Sequence, residues 1–199
     1  MARVYPLSSH AAEAWQAALN AVLRGEVILF PTETVYGLGV DSARPEAVEL
    51  LYEWKGRPRE KPFQWLAANV EQVRAGSCRW DDLAERLAKA FWPGPLTLVV
   101  PAGEGTIGWR IPNHNGLLEF LKQLARPLIA TSANLSGIPP PVEFQAALLE
   151  FDSRVAVALD GGTCVAGVPS TVVEVQGERV RILRPGAISE EKIRDATAN

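Results

Sequence analysis

Cysteine is scarce in this sequence of 199 residues: only Cys78 and Cys164 occur, far apart and in no metal-ligand spacing. That excludes a disulfide scaffold and a cysteine zinc site, and the two read as reduced thiols of a cytosolic chain. No apolar run reaches membrane-spanning length, and MARVYPLSSHAAEAW lacks the pattern of a secretory signal. The expected location is therefore the cytoplasm, with no membrane partner, where the Asn134-Leu135-Ser136 sequon has no meaning. Excess positive charge is missing too: 20 Lys and Arg against 23 Asp and Glu give a net charge of −3. The whole chain is no polyanion binder, so any positive site is local. The Walker A and HExxH patterns are absent, and His10 and His114 stand in unrelated contexts with no triad. Gly103 to Gly108 fits GxGxxG, yet Pro112 blocks the helix that must follow, and Glu104 would face the phosphates.

What is present is an ordinary globular composition, 47% hydrophobic and 22% charged. The length fits one domain over residues 1–199, with a core over about 8–186. Ser8 or Ser9 can cap a helix that runs to Arg24 and stops at Gly25. Pro45 opens a second helix ending near Trp54. Asn69 and Asp81–Asp82 start two more; others are expected over Leu117–Leu124, over Glu143–Phe151 and near Glu190. Strands are expected at Val27–Phe30, Phe63–Ala68, Leu96–Val100, Ile107–Ile111, Leu128–Ala130 and Val155–Leu159. Thr171–Val175 and Arg179–Leu183 form a hairpin. Interleaved helices and strands with a late antiparallel hairpin imply an α/β fold with a mixed sheet.

The chain is organised around VILFPTETVYGLG, residues 27–39. Four apolar residues make a buried strand, Pro31 ends it, and Thr32, Glu33, Thr34 and Tyr36 crowd the loop. In open α/β sheets ligands bind at such strand ends; the alternative is a turn whose threonines bond their own backbone. Lys55, Arg57, Arg59 and Lys61 occupy every second position beside Pro58 and Pro62, which favours an extended segment with four cations on one side. Mutual repulsion of roughly 0.6 kcal/mol per neighbouring pair in water is tolerable on a solvated loop and turns into binding where phosphates bridge the cations. Thr131 to Gly137 is a second hydroxyl-rich loop after an apolar strand, able to hold a nucleotide or to be a simple turn. Arg110, set between Trp109 and Ile111, needs a buried anionic partner or a ligand.

Seven segments follow in order: PTETVYGLG (31–39), KGRPREKP (55–62), WPGPLTLV (92–99), WRIPNH (109–114), ATSANLSG (130–137), PSTVV (169–173) and ILRPG (182–186). This series resembles the YrdC/TsaC family of threonylcarbamoyl-AMP synthases, from about Val27 to Gly186. The resemblance implies a YrdC-like single domain, a twisted mixed sheet flanked by helices with a large concave positive face. It implies a nucleotidyltransferase that condenses L-threonine, bicarbonate and ATP to threonylcarbamoyl-AMP and pyrophosphate, for modification of adenosine 37 in tRNAs reading codons that begin with A. By motif, L-threonine falls to Thr32, Gln64, Arg110, Ala130 and Ser170. ATP falls to Lys55, Arg57, Arg59, Lys61, Thr106, Ser132, Asn134, Pro140 and Arg184. Lys55 and Arg57 act electrostatically, with no covalent nucleophile and no protein-bound metal; Mg2+ arrives with ATP. Implied partners are a transferase complex of the TsaB, TsaD and TsaE type and, weakly, RNA. The chain ends soon after the hairpin, which resembles the short bacterial form. A duplex-RNA-binding module without adenylation activity is the alternative from another class, and the net charge argues against it. Carbamoyl-adenylate synthesis for hydrogenase maturation is a further one, for which the accompanying acylphosphatase and zinc-finger segments are missing.

Overall fold

The computed structural model describes residues 1–76 and 78–198. Its frame is one ten-stranded mixed sheet. In chain order the strands are β1 (Arg3–Pro6), β2 (Ile28–Phe30), β3 (Gly37–Asp41), β4 (Gln64–Leu66), β5 (Leu96–Ala102), β6 (Gly105–Arg110), β7 (Leu128–Ser132), β8 (Val157–Asp160), β9 (Thr171–Gln176) and β10 (Arg179–Arg184). They lie side by side as β1-β8-β2-β3-β7-β4-β6-β5-β9-β10. β2 pairs antiparallel with β3, and β3 with β7, whereas β4 runs parallel to β6 and β5 to β9.

The helices are α1 (Leu7–Leu23), α2 (Pro45–Lys55), α3 (Val70–Ala75), α4 (Asp82–Phe91), α5 (Asn115–Leu124), α6 (Phe144–Phe151) and α7 (Glu190–Ala198). Several starts follow from capping: the Asn69 side chain accepts from Gln72 N, and Asp81 accepts from Ala84 N. Neither Ser8 nor Ser9 caps α1; it begins at Leu7 and breaks helical geometry at His10.

Side-chain alternation along the strands decides what each face does. Leu29, Leu38 and Ile129 pack with α2 and α6, and Leu96, Leu98, Val173 and Val175 pack with α3, α4 and α7. Trp65 touches both clusters, so these helices cover one face. On the opposite face Ile28, Phe30, Leu128 and Val157 pack under α1 and α5. Farther along that second face, over β4, β6, β5 and β9, the outward residues line a hollow. Two strands are not expected from the sequence, β1 and β3; in β3, Gly37 and Gly39 are strand residues. Their missing side chains let Phe30 and Leu128 lie against the backbone, since a Cβ at Gly39 would sit 2.7 Å from both.

Candidate active site

The hollow is a cavity of about 380 Å³. Its floor is the second set of each strand's alternating residues: Thr97 and Val99 of β5, Thr106, Gly108 and Arg110 of β6, Val172 and Glu174 of β9. Gln64 of β4 and Ala130 and Ser132 of β7 continue it. The β2–β3 loop forms one wall, and Arg57, Glu60, Lys61, Pro62 and Phe63 with Leu183 and Arg184 form others.

Of the expected amino-acid residues, Thr32, Gln64, Arg110, Ala130 and Ser170 all line this cavity. Of the expected nucleotide residues, Arg57, Lys61, Thr106, Ser132 and Arg184 do so too. Lys55, Arg59, Asn134 and Pro140 are not among its lining residues. The four cations do not form an extended comb. Lys55 ends α2, Gly56 caps that helix in the left-handed conformation (φ 54°), and Lys61 N closes a turn onto Pro58 O at 3.1 Å. The proline rule acts only on the residue before each proline, and Lys55 precedes Gly56. The buried Lys55 Nζ donates to Ser132 O at 2.8 Å, to Asn134 O, and to Asn134 Oδ1 at 3.2 Å. Ser136 Oγ donates to Lys55 O at 2.5 Å. Lys55 is thus a clamp on the 132–136 loop, and burial followed by the charge of Arg57 lowers its pKa to about 8. Arg59 pairs with Glu49 over the Tyr52 ring. Arg57 donates through Nε to Lys61 O at 2.6 Å and lies over the Phe63 ring.

The threonine loop makes the local backbone hydrogen bonds of a turn, and Thr32 and Thr34 also line the cavity. Thr32 Oγ1 donates to Val35 O at 2.7 Å and accepts from Thr34 N and Val35 N at 3.1 and 3.2 Å. Its one proton is therefore used, and Thr34 donates to it at 2.8 Å. Arg110 is 2% exposed. Its Nε donates to Gly94 O at 3.2 Å and its Nη2 to Thr34 Oγ1 at 3.0 Å. Of the two expectations for Arg110, a buried anionic partner or a ligand, the structure supplies an anion in Glu33, whose Oε1 lies 2.8 Å from Nη2. That contact has ion-pair distance without hydrogen-bond alignment, since both Glu33 oxygens lack a hydrogen-bond partner.

A chain of hydrogen bonds crosses the floor. Arg184 Nη2 donates to Ser170 O at 2.7 Å and Ser170 Oγ at 3.1 Å. Thr97 Oγ1 donates to Gln64 Oε1 at 3.1 Å, so Ser170 Oγ donates to Thr97 Oγ1 at 2.9 Å. Burial, then Arg110 and Arg57, lower the pKa of Arg184. The three guanidiniums of Arg57, Arg110 and Arg184 share this one cavity. Thr34, Thr97 and Glu33 escaped assignment from the sequence; Thr97 was visible as the polar residue alternating with Leu96 and Leu98.

The family model for Sua5/YciO/YrdC proteins, described as "telomere recombination", matches residues 20–186. The chain belongs to that family. A threonylcarbamoyl-AMP synthase of Bacillus subtilis is 39% identical over 94% of this chain and 57% of its own length. One from Vibrio parahaemolyticus is 33% identical over 86% of this chain and 98% of its own. Sua5 of Pyrococcus abyssi, solved with L-threonine, superposes with a TM-score of 0.90 at 33% identity, covering 98% of this chain and 60% of that one. The chain thus spans less than two thirds of the length of the B. subtilis and P. abyssi relatives. YciO of E. coli, 21% identical with a TM-score of 0.87, shares the fold. Among the described residues no helix is long and apolar enough to cross a membrane, and no group of three or more His, Cys, Asp or Glu is placed to hold a metal.

Proposed function

We propose that this member of the Sua5/YciO/YrdC family condenses L-threonine, bicarbonate and ATP into threonylcarbamoyl-AMP and pyrophosphate, as a nucleotidyltransferase. The observation that carries this reading is the convergence of Arg57, Arg110 and Arg184 on one hydroxyl-lined cavity. In it Arg110 takes the amino-acid carboxylate, a charge-assisted contact. Thr32 shapes that half through its tied turn, and Gln64, Ser170 and the Ala130 backbone complete it. The nucleotide lies toward Arg57, Lys61, Thr106, Ser132 and Arg184, while Lys55 and Asn134 act by holding the Ser132 loop in place. The threonine amine bonds to the bicarbonate carbon as a C–O bond breaks and water leaves, giving a carbamate; a carbamate oxygen then bonds to the α-phosphorus as the bond to the pyrophosphate oxygen breaks. Guanidiniums that neutralise the departing pyrophosphate and hold the carbamate in line supply the catalysis, with no covalent nucleophile. Mg2+ comes with the nucleotide, held by phosphates and water. The product suits a tRNA-modifying transferase that attaches threonylcarbamoyl to adenosine. The test is pyrophosphate release with ATP and bicarbonate, comparing L-threonine, L-serine and no amino acid. Release that depends on L-threonine supports the reading; release indifferent to the amino acid overturns it.

A further inference from the structure

Buried carboxylates normally receive hydrogen bonds. Asp41 does: Arg126 donates to both its oxygens at 2.7 and 2.6 Å, and Ala43 N donates at 2.9 Å. Glu33 does not. Both its oxygens are shielded from solvent without a hydrogen-bond partner, and its nearest cation is Arg110. We propose that Glu33 is a positioning residue for the amino-acid half of the cavity: as the buried counter-charge of Arg110 it holds the guanidinium in place so that Nη1 meets the substrate carboxylate. The inference rests on reading this cavity as an L-threonine site.

Arg110 projects from β6 beside the core residues Trp109 and Ile111, and a guanidinium so buried needs a counter-charge. Gly94 O and Thr34 Oγ1 orient it but carry no charge. Glu33 supplies the charge. Its backbone is fixed by the Thr32 turn and by Ala166 N, which donates to Glu33 O at 2.8 Å. Arg110 lines the cavity and Glu33 does not, so Glu33 acts through Arg110. Among the described residues Nη1 makes no hydrogen bond, and it is absent from the buried unpartnered atoms, which leaves it open to a ligand. Removing Glu33 has two opposed effects. It lifts a repulsion on the incoming carboxylate, and it strips the guanidinium of its counter-charge. The second dominates, because an unpaired buried cation leaves its site for water.

The test is isothermal titration of L-threonine and of ATP into the wild type, Glu33→Gln, Arg110→Lys and the double variant. L-threonine binding weakens about tenfold in Glu33→Gln, the scale of one lost charged interaction; ATP binding stays within about twofold. In the Arg110→Lys background Glu33→Gln adds no further loss. Unchanged or tighter L-threonine binding in Glu33→Gln, equal loss of both ligands, or additive losses overturn the proposal. Should Glu33→Gln not fold, Glu33→Asp replaces it, with a selective loss of L-threonine affinity expected and an equal loss of both ligands, or none, overturning. A wild type that binds no L-threonine overturns the functional reading itself; a binding wild type with an unaffected variant overturns the role of Glu33 alone.

Discussion

Lys55→Met separates a clamp from a ligand. A lysine that touches phosphate matters only when nucleotide is bound, whereas a clamp on the 132–136 loop matters in its absence. Nζ makes three hydrogen bonds to Ser132 O, Asn134 O and Asn134 Oδ1. Charge-assisted bonds at about 1.5 kcal/mol each come to roughly 5 kcal/mol. Removing the buried ammonium returns part of this: a pKa of about 8 against the ordinary 10.5 corresponds to roughly 3 kcal/mol of desolvation and repulsion. The net loss is about 2 kcal/mol, which for a chain of this size lowers Tm by about 4–8 °C without any ligand. The pH dependence has a definite sign. Because the folded-state pKa is depressed, the unfolded chain binds more protons between pH 8 and 10.5, so the wild type gains stability relative to the variant as pH rises through that window. Differential scanning calorimetry at pH 7.5 and 10 reads both effects. Coincident ligand-free melts, with ATP affinity lost only in the variant, would refute the clamp.

Arg110→Ala is expected to weaken L-threonine binding about tenfold or more with ATP little changed, and Arg184→Ala the reverse, both read by titration; equal loss of one ligand by both variants contradicts the division of the cavity. Burial pushes the Asp41 carboxyl up, but the Arg126 and Ala43 hydrogen bonds outweigh it and hold its pKa below the ordinary value. Its contribution is therefore present above the ordinary carboxylate range and lost as pH falls through the depressed value. Asp41→Asn is expected to cost about 2 kcal/mol at pH 7, discounted for the half-exposed Arg126, and less at pH 3, measured by thermal melts. Gly39→Ala places a Cβ 2.7 Å from Phe30 and Leu128; about 1–3 kcal/mol of stability is lost by overpacking, and L-threonine binding weakens because Phe30 lines the cavity.

The sequence carried the helices well, because Asn69 and Asp81 cap with their own side chains and Leu83, Leu87, Leu117 and Leu121 recur at helical spacing. It carried the paired strands β9 and β10 and the apolar β2 and β5 for the same reason of period. β1 and β3 were lost. One is a short edge strand ending in Pro6; the other contains two glycines, chosen for close packing under Phe30 rather than for strand propensity. Ten of the fourteen expected site residues line the cavity. The other four are not among its lining residues, because sequence order shows which residues share a motif but not which of them turn toward its neighbour. Lys55 is the clearest case: spacing placed it in a row of cations, whereas the left-handed Gly56 turns the chain after it. Glu33 was hidden for a related reason, since its role depends on Arg110, far along the chain.

The measurement that bears most directly on the central claim is a crystal structure with L-threonine and a non-hydrolysable ATP analogue bound together. Both are expected in the cavity over β4, β6, β5 and β9, with the threonine carboxylate on Arg110 and the phosphates toward Arg57 and Arg184. Density for either ligand on another surface, with those three arginines left empty, would contradict it.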